Sequence, residues 1–304
     1  MNARLAPGPA AFALMVLLCA VWGFQQVAIK IAGAGVSPLL QVGLRSAIAA
    51  VLVFLWMRLR GQPLAARDGS FRPGLLAGAL FALEFICIFV GLGYTSASRM
   101  VVFLYTAPCF TVLGLHLFVP GENIGWRHGA GVLLAFLGIA VAFGEGWGAT
   151  ASMPQRWIGD LLGLLAAIFW AATIVAIRAT PLARISAAKV LLYQLAVSAV
   201  VALPLSWLAG EEGIRGELTP AVLLALLYLG VVVAFASYLA WFWLLTKYLA
   251  SRLMVFAFLT PLFGVAFGVL LLGEPMSLLF GLAAALVVAG IVLVNAPARR
   301  PASR

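Results

Sequence analysis

Residues 219–245 read TPAVLLALLYLGVVVAFASYLAWFWLL, a run without a single charged side chain. A transmembrane helix needs about 20 consecutive apolar residues, so this run is long enough to cross a bilayer. Nine further apolar runs occupy most of the remaining chain, and we predict ten spans in total. They are residues 10–32, 37–57, 73–92, 98–119, 127–144, 158–178, 187–208, 219–245, 251–272 and 277–296.

The composition excludes the soluble classes of protein. Of the 304 residues, 65% are hydrophobic and 9% are charged, whereas an ordinary globular domain has roughly 25% charged residues. A soluble protein needs charged residues to cover its outside. A bilayer protein needs only to satisfy its backbone groups within helices. We therefore expect an all-α integral membrane protein with no soluble domain.

The positive charges predict the orientation of the chain. The net charge is +10, but the basic residues lie mostly in the connections between spans, so we expect no nucleic-acid partner. With a cytoplasmic N-terminus, 14 of the 19 Lys and Arg residues fall in cytoplasmic segments, four fall outside, and Arg45 lies within a span. The positive-inside rule thus predicts cytoplasmic tails at residues 1–9 and 297–304. The Ala-, Gly-, Leu- and Arg-rich composition suggests a bacterial inner membrane.

The two halves of the chain resemble each other. Five features recur in the same order at offsets of 148 to 153 residues: Trp22 and Trp170, Arg99 and Arg252, Pro108 and Pro261, Gly121 and Gly273, Gly138 and Gly290. We therefore predict two repeats, residues 10–145 and 157–296, of five spans each. Because five is odd, the second repeat must enter the membrane upside down. Such inverted-topology repeats are typical of secondary transporters, in which they surround a central site.

The repeated segments also resemble a known family. Residues 91–141, GLGYTSASRMVVFLYTAPCFTVLGLHLFVPGENIGWRHGAGVLLAFLGIAV, are similar to the second part of an EamA repeat of the drug/metabolite transporter superfamily. Residues 238–294 show the same order of Pro261, Gly273-Glu274 and a glycine-containing last helix. Arg45 matches the arginine typical of the family's second span, and Gln194 stands at the related place in the second half.

The resemblance covers residues 11–296 and implies a fold and a function. It implies ten helices around a central substrate cavity, cytoplasmic termini, and export of small metabolites or amino acids. It does not identify a substrate.

Two ionisable residues lie near the middle of predicted spans, where a charge is costly and usually functional. One reading makes Glu84 a cation-binding or proton-coupling carboxylate that faces the cavity. The other makes it a structural ion pair with Arg45, since both lie at one depth. For Arg45 itself, a packing role is the alternative to a role in the site.

Several polar and aromatic residues lie at a similar depth. Trp22 and Trp170 are too deep to anchor the helices at the interface, and Gln26 follows one turn after Trp22. Either they line the cavity, or the glutamines join helices by hydrogen bonds. The predicted cavity residues are Trp22, Gln25, Gln26, Tyr105, Trp170, Thr173 and Tyr238. Pro108 and Pro261 are predicted hinges, with tolerated kinks as the alternative.

The sequence contains no nucleotide-binding loop, zinc spacing or nucleophile elbow. We therefore expect no cofactor, no metal and no enzymatic activity. Gly-xxx-Gly pairs predict close packing within one bundle, so we expect a monomer or a weak dimer. The leading hypothesis is a secondary exporter with a small-molecule substrate, in which protons are the candidate coupling ion. A passive facilitator of the same fold and a membrane enzyme or lipid-handling protein are the alternatives.

Overall fold

A computed structural model describes residues 8–63, 68–118, 125–147, 155–248, 256 and 259–295. Nearly all of the two predicted tails lies outside the described residues. So do two residues of the repeat comparison, Gly121 and Arg252.

The first half of the described chain is helical. Its helices are α1 (Pro9–Gly33), α2 (Pro38–Leu59), α3 (Phe71–Gly91), α4 (Ala97–Leu104), α5 (Ala107–Phe118) and α6 (Trp126–Trp147).

The second half of the described chain is also helical. It holds α7 (Arg156–Ala179), a 3₁₀ turn (Pro181–Arg184), α8 (Ala187–Leu208), α9 (Pro220–Leu227), a π-helix (Tyr228–Ser237), α10 (Tyr238–Lys247), α11 (Leu259–Leu272) and α12 (Leu278–Asn295). Across the described ranges, the β-structure is one isolated bridge between Val36 and Ile214.

Seven helical segments in the described part are long and apolar enough to cross a membrane. In this count α4 and α5 together form one segment, Ala97–Phe118, and α9, the π-helix and most of α10 form another, Pro220–Leu244. Three more apolar helices are shorter: Gly129–Ala142, Leu259–Leu272 and Leu278–Val294. The all-helical, membrane-integral fold class is therefore confirmed. The number of ten transmembrane helices stays a prediction.

The fourth predicted span is two helices, because the chain breaks at Tyr105 and Thr106. Pro108 lacks a backbone N–H and its ring clashes with the preceding turn, so α4 cannot run on through it. The amide of Cys109 instead bonds to the carbonyl of Thr106 at 2.9 Å. The break agrees with the proposed position of a hinge, but hinge motion at Pro108 and at Pro261, the third residue of α11, stays a prediction.

The π-helix was not anticipated from the sequence. Its i→i+5 pattern holds more residues in each turn than an α-helix, and such segments are rare and occur frequently at functional sites. The hydroxyl of Ser237 donates to the carbonyl of Val233 at 2.6 Å, and that of Tyr228 donates to the carbonyl of Val21 at 2.7 Å. The π-helix thus turns Tyr228 and Ser237 towards α1.

Helices of the two halves pack on one another. α6 lies along α12, and α2 lies along α8, so helices at corresponding places in the two halves of the chain meet. The first helix of each half packs on the fourth predicted span of the other half: α1 packs on α11, and α7 packs on α4 and α5. Glycines permit the closest approach. A Cβ built on Gly138 would lie 2.7 Å from the carbonyl oxygen of Ala283, and one on Gly290 would lie 2.6 Å from that of Gly131.

We expect Gly290→Ala to lower the free energy of unfolding by about 1–3 kcal/mol, because the added methyl group overpacks the contact between α6 and α12. Gly281→Ala is the matched control on α12, since a Cβ there meets no atom within 4 Å and alanine favours a helix by about 1 kcal/mol. Thermal unfolding in detergent compares the two variants with the wild type. A Gly290→Ala variant as stable as Gly281→Ala would contradict the packing.

Candidate functional site

One end of the bundle is held by three acidic residues of the second half. We call it the carboxylate end, and it is defined by Asp160, Glu211 and Glu274. Glu274 completes the N-terminus of α4. Its two oxygens accept from the backbone N–H groups of Ala97 and Ser98 at 2.6 and 2.9 Å and from the hydroxyl of Ser98 at 2.7 Å. Lys30 of α1 lies 3.8 Å away.

Glu211 likewise accepts hydrogen bonds at the N-terminus of α2. Its carboxylate accepts from the backbone N–H groups of Leu39 and Leu40 at 3.3 and 3.4 Å. It also accepts from the hydroxyls of Ser37 and Ser206 at 2.7 and 2.8 Å. A carboxylate at a helix N-terminus satisfies free backbone donors and opposes the positive end of the helix dipole.

Asp160 forms a fully buried ion pair with Arg99. Nε of Arg99 donates to the carboxylate at 3.1 and 3.2 Å, and Nη2 donates at 2.5 Å. Nη2 also donates to the carbonyl of Ala142, and the hydroxyl of Thr95 donates to Asp160 at 2.8 Å. The acidic residues at this end therefore join first-half helices to second-half helices.

The opposite end carries a weaker link between the halves. Nζ of Lys189 lies 2.8 Å from Oδ2 of Asp68, and the amide of Ser70 donates to Oδ1 at 3.1 Å. These hydrogen bonds, with that of Lys189 the strongest influence, hold the pKa of Asp68 well below its usual range. Because the folded pKa is lowered, the stabilisation is present above the ordinary aspartate range and is lost as the pH falls through the folded value.

Inside the bundle, in the first half of α2, Arg45 is fully buried. Its guanidinium carbon lies 3.8 Å from the centre of the Phe85 ring. Glu84 and Tyr238 interact with Arg45 electrostatically, but no carboxylate oxygen among the described residues lies within 4.0 Å of its nitrogens. The direct Arg45–Glu84 ion pair is therefore not formed in this conformation.

Tyr105 joins this group from the break between α4 and α5. It interacts electrostatically with Glu84 and Tyr238, and with Cys19 and Thr260. We call Arg45, Glu84, Tyr105 and Tyr238 the central cluster. Trp170 packs edge-to-face against Tyr105, with ring centres 5.4 Å apart.

Trp22 reaches the same region from α1. Its indole Nε1 donates to the hydroxyl of Ser237 at 2.8 Å, and its ring meets Trp241 edge-to-face at 6.0 Å. Ser237 directly precedes Tyr238, so this hydrogen bond connects α1 to the central cluster.

Three of the predicted cavity residues lie apart from these contacts. The hydroxyl of Thr173 donates to the carbonyl of Phe169 at 2.9 Å, within its own helix. Gln25 and Gln26 are buried, and Oε1 of Gln26 has no hydrogen-bond partner in the described part of the chain. No described hydrogen bond joins Gln25 or Gln26 to the central cluster. Their cavity role stays a prediction.

Sequence reasoning missed four residues of this region. Cys19 gives no signal in the sequence, because a lone cysteine in an apolar span is usually a small buried hydrophobic residue. In the structure its thiol donates to the carbonyl of Phe256 at 3.3 Å, and it neighbours Tyr105. Thr260, Ser237 and Trp241 gave no signal, because single hydroxyls and aromatic rings are common in transmembrane helices. The described residues include no group of three His, Cys, Asp or Glu side chains that could hold a metal ion.

Comparison with known proteins identifies the family of the chain. The model of the EamA-like transporter family matches twice, over residues 10–144 and 157–296. The chain belongs to this family. The membership confirms the resemblance inferred from the repeated segments, and it identifies the bundle as a membrane-integral transporter fold.

Among curated relatives of this EamA-like protein is the "Uncharacterized transporter YoaV" of Bacillus subtilis, 26% identical over 275 residues, which cover 90% of this chain and 92% of that protein. Another is a "Probable amino-acid metabolite efflux pump" of Salmonella typhimurium, 29% identical over 290 residues, which cover 92% and 93%. A crystal structure with 22% sequence identity matches with a TM-score of 0.66, covering 94% of this chain and 98% of that one, and this shows the fold.

We expect Asp160→Asn to destabilise this EamA-like protein by about 3–5 kcal/mol, because it removes the buried carboxylate that binds Nε and Nη2 of the buried Arg99. Asp68→Asn is the control, since it removes the same charge from a pair in which the acid is partly exposed. Thermal unfolding in detergent should show a much smaller loss for Asp68→Asn. Equal losses would contradict the assignment of Asp160 as the main link.

Proposed function

We propose that the protein is a secondary transporter that exports small metabolites, such as amino acids or related aromatic compounds, by alternating access. Protons are the proposed coupling ion, and a bacterial inner membrane with both termini in the cytoplasm is the proposed location. The observation that carries this proposal is the central cluster, where buried charges and aromatic rings from both halves converge inside the bundle.

The packing supports ten helices in two inverted repeats. The contacts of α6 with α12 and of α2 with α8 join equivalent helices, as a two-fold axis in the membrane plane requires. The crossed contacts of α1 with α11 and of α7 with α5 follow the same relation. Two halves related in this way can rock about one central site and open it to either side.

The carboxylate end supplies a gate for such a motion. The positive-inside rule places this end outside the cell. There Glu274 and Glu211 of the second half hold the N-termini of α4 and α2 of the first half. Opening the outer side would require these bonds to break.

We expect Glu274→Ala to favour the outward-open state, because losing the cap of a helix N-terminus costs about 0.5–2 kcal/mol, or roughly a two- to thirty-fold change in population. Cys19 is fully buried beside the central cluster, so in a variant without Cys87 and Cys109 it reports access. A membrane-impermeant maleimide added outside should label Cys19 faster in Glu274→Ala.

Glu212→Ala is the control, since Glu212 is an exposed acid of the same end. Unchanged labelling in a folded Glu274→Ala variant would remove Glu274 from the gate.

Transport itself is tested in proteoliposomes with a mixture of isotope-labelled L-amino acids, because a similar protein carries the name of an amino-acid metabolite efflux pump. We expect saturable flux, counterflow and acceleration by an imposed proton gradient. Glu84→Gln should abolish the response to the gradient and keep counterflow, since glutamine cannot carry the proton. The control Glu212→Gln should behave as the wild type.

The results separate the hypotheses. Flux without saturation, counterflow or gradient response would instead indicate a passive facilitator. A gradient response that survives Glu84→Gln would remove Glu84 from the coupling role. Chemical turnover of a compound in detergent, where no gradient exists, would favour a membrane enzyme.

A further inference from the structure

Arg45 and Arg99 are both buried arginines, but they are satisfied in different ways. Asp160 binds Nε and Nη2 of Arg99, and the carbonyl of Ala142 binds Nη2 again. The fold therefore supplies a full set of acceptors where it uses an arginine for structure.

At Arg45, Nε, Nη1 and Nη2 are all buried and none has a hydrogen-bond partner among the described residues. A buried polar group without a partner is costly, and more so when it is charged. The contacts that do exist fall on the flat face of the guanidinium, which lies over Phe85 at 3.8 Å and near Phe89 at 5.9 Å. Stacking of this kind engages the face and leaves the N–H groups at the edge free.

The neighbouring groups leave most of those N–H groups unused. Glu84 and Tyr238 interact with Arg45 electrostatically, which offsets part of the cost of burying its charge. Glu84 makes no described hydrogen bond with the guanidinium. Tyr238 lies close enough for a weak hydrogen-bond interaction, but it does not reach the distance and angles of a full hydrogen bond. The planar edge is therefore available to an acceptor that is not part of the described chain, and a carboxylate matches its two-pronged geometry.

We propose that Arg45 binds the carboxylate of the transported metabolite, so that the protein selects small carboxylates, amino acids among them, over their uncharged or purely cationic analogues. This inference rests on the proposed transport function. It separates two tasks within the central cluster: Arg45 recognises the substrate, and Glu84 couples its movement to protons. The nearby rings of Tyr105, Trp170 and Phe85 give an apolar surface for the rest of the substrate.

The burial of Arg45 fits this role. In the present conformation solvent does not reach the guanidinium, so a carboxylate arrives only when one end of the bundle opens. Its binding energy then favours closure around it.

The test uses the purified protein in detergent and measures thermal stabilisation, since a ligand that binds the folded state raises the melting temperature by mass action. The probes are a panel of L-amino acids and short dicarboxylates, each beside its amide. L-phenylalanine is additionally compared with 2-phenylethylamine. At least one carboxylate should stabilise the wild type, and its amide or amine should require at least about tenfold higher concentration, because a charge-assisted hydrogen bond is lost.

Variants of Arg45 assign the effect to this residue. Arg45→Gln should abolish the stabilisation by the carboxylate. Arg45→Lys keeps the charge but loses the fork, so it should bind about tenfold more weakly. Arg60→Gln is the matched control, because it removes the same charge from an exposed position at the end of the same helix. If Arg45→Gln does not fold, the Arg45→Lys variant and the probe pairs on the wild type decide.

Three results would overturn the inference. They are equal stabilisation by an acid and its amide, stabilisation by the acid that persists in folded Arg45→Gln, and a panel in which no carboxylate stabilises the wild type. Counterflow in proteoliposomes distinguishes this failure from failure of the proposed function. Counterflow of amides or amines without preference for carboxylates leaves a transporter without this selectivity, whereas absence of counterflow for every probe removes the transport function as well.

Discussion

A charge buried inside a membrane protein must find its counter-charge in the protein, because no water reaches it there. Arg99 meets this constraint through Asp160, and Lys30 has Glu274 close by. The free N–H groups of α4 and α2 meet it through Glu274 and Glu211. In each case the acid belongs to the second half of the chain and its partner to the first. The cost of burying polar groups is therefore also what holds the halves together at the carboxylate end.

The buried charge of Arg45 in the central cluster is paired less completely than that of Arg99. Arg45 has aromatic rings on its face and charges nearby, but no described residue accepts a full hydrogen bond at its edge. A protein that satisfies Arg99 so fully could also have satisfied Arg45, for instance by moving Glu84 closer. Incomplete pairing near the midplane leaves room for a partner that comes and goes, and a transporter needs such a partner.

The sequence predicted the membrane class, the helical fold and the family, because hydropathy and the ordered repeat depend on many residues at once. It also singled out Arg45 and Glu84, because charges at mid-span depth are costly. Tyr105, Trp170 and Tyr238 were predicted from their depth alone, and the structure brings them together with Arg45 and Glu84. The sequence could not predict the π-helix at Tyr228–Ser237, whose composition is that of an ordinary span. Nor could it assign Glu274 to the start of α4, because such a pairing depends on tertiary packing and not on local pattern.

The bond between Glu274 and α4 has a consequence for biosynthesis. The carboxylate lies 177 residues after the Ala97 amide that it binds, so α4 enters the membrane long before its cap exists. At about 5–20 residues per second, the ribosome needs roughly 10 to 35 s to make the intervening chain. During that interval Ser96 can serve the amide of Arg99, but those of Ala97 and Ser98 need water or lipid headgroups as temporary acceptors. The first half is thus synthesised early, but its α4 is capped only after the connection between α11 and α12 has been made.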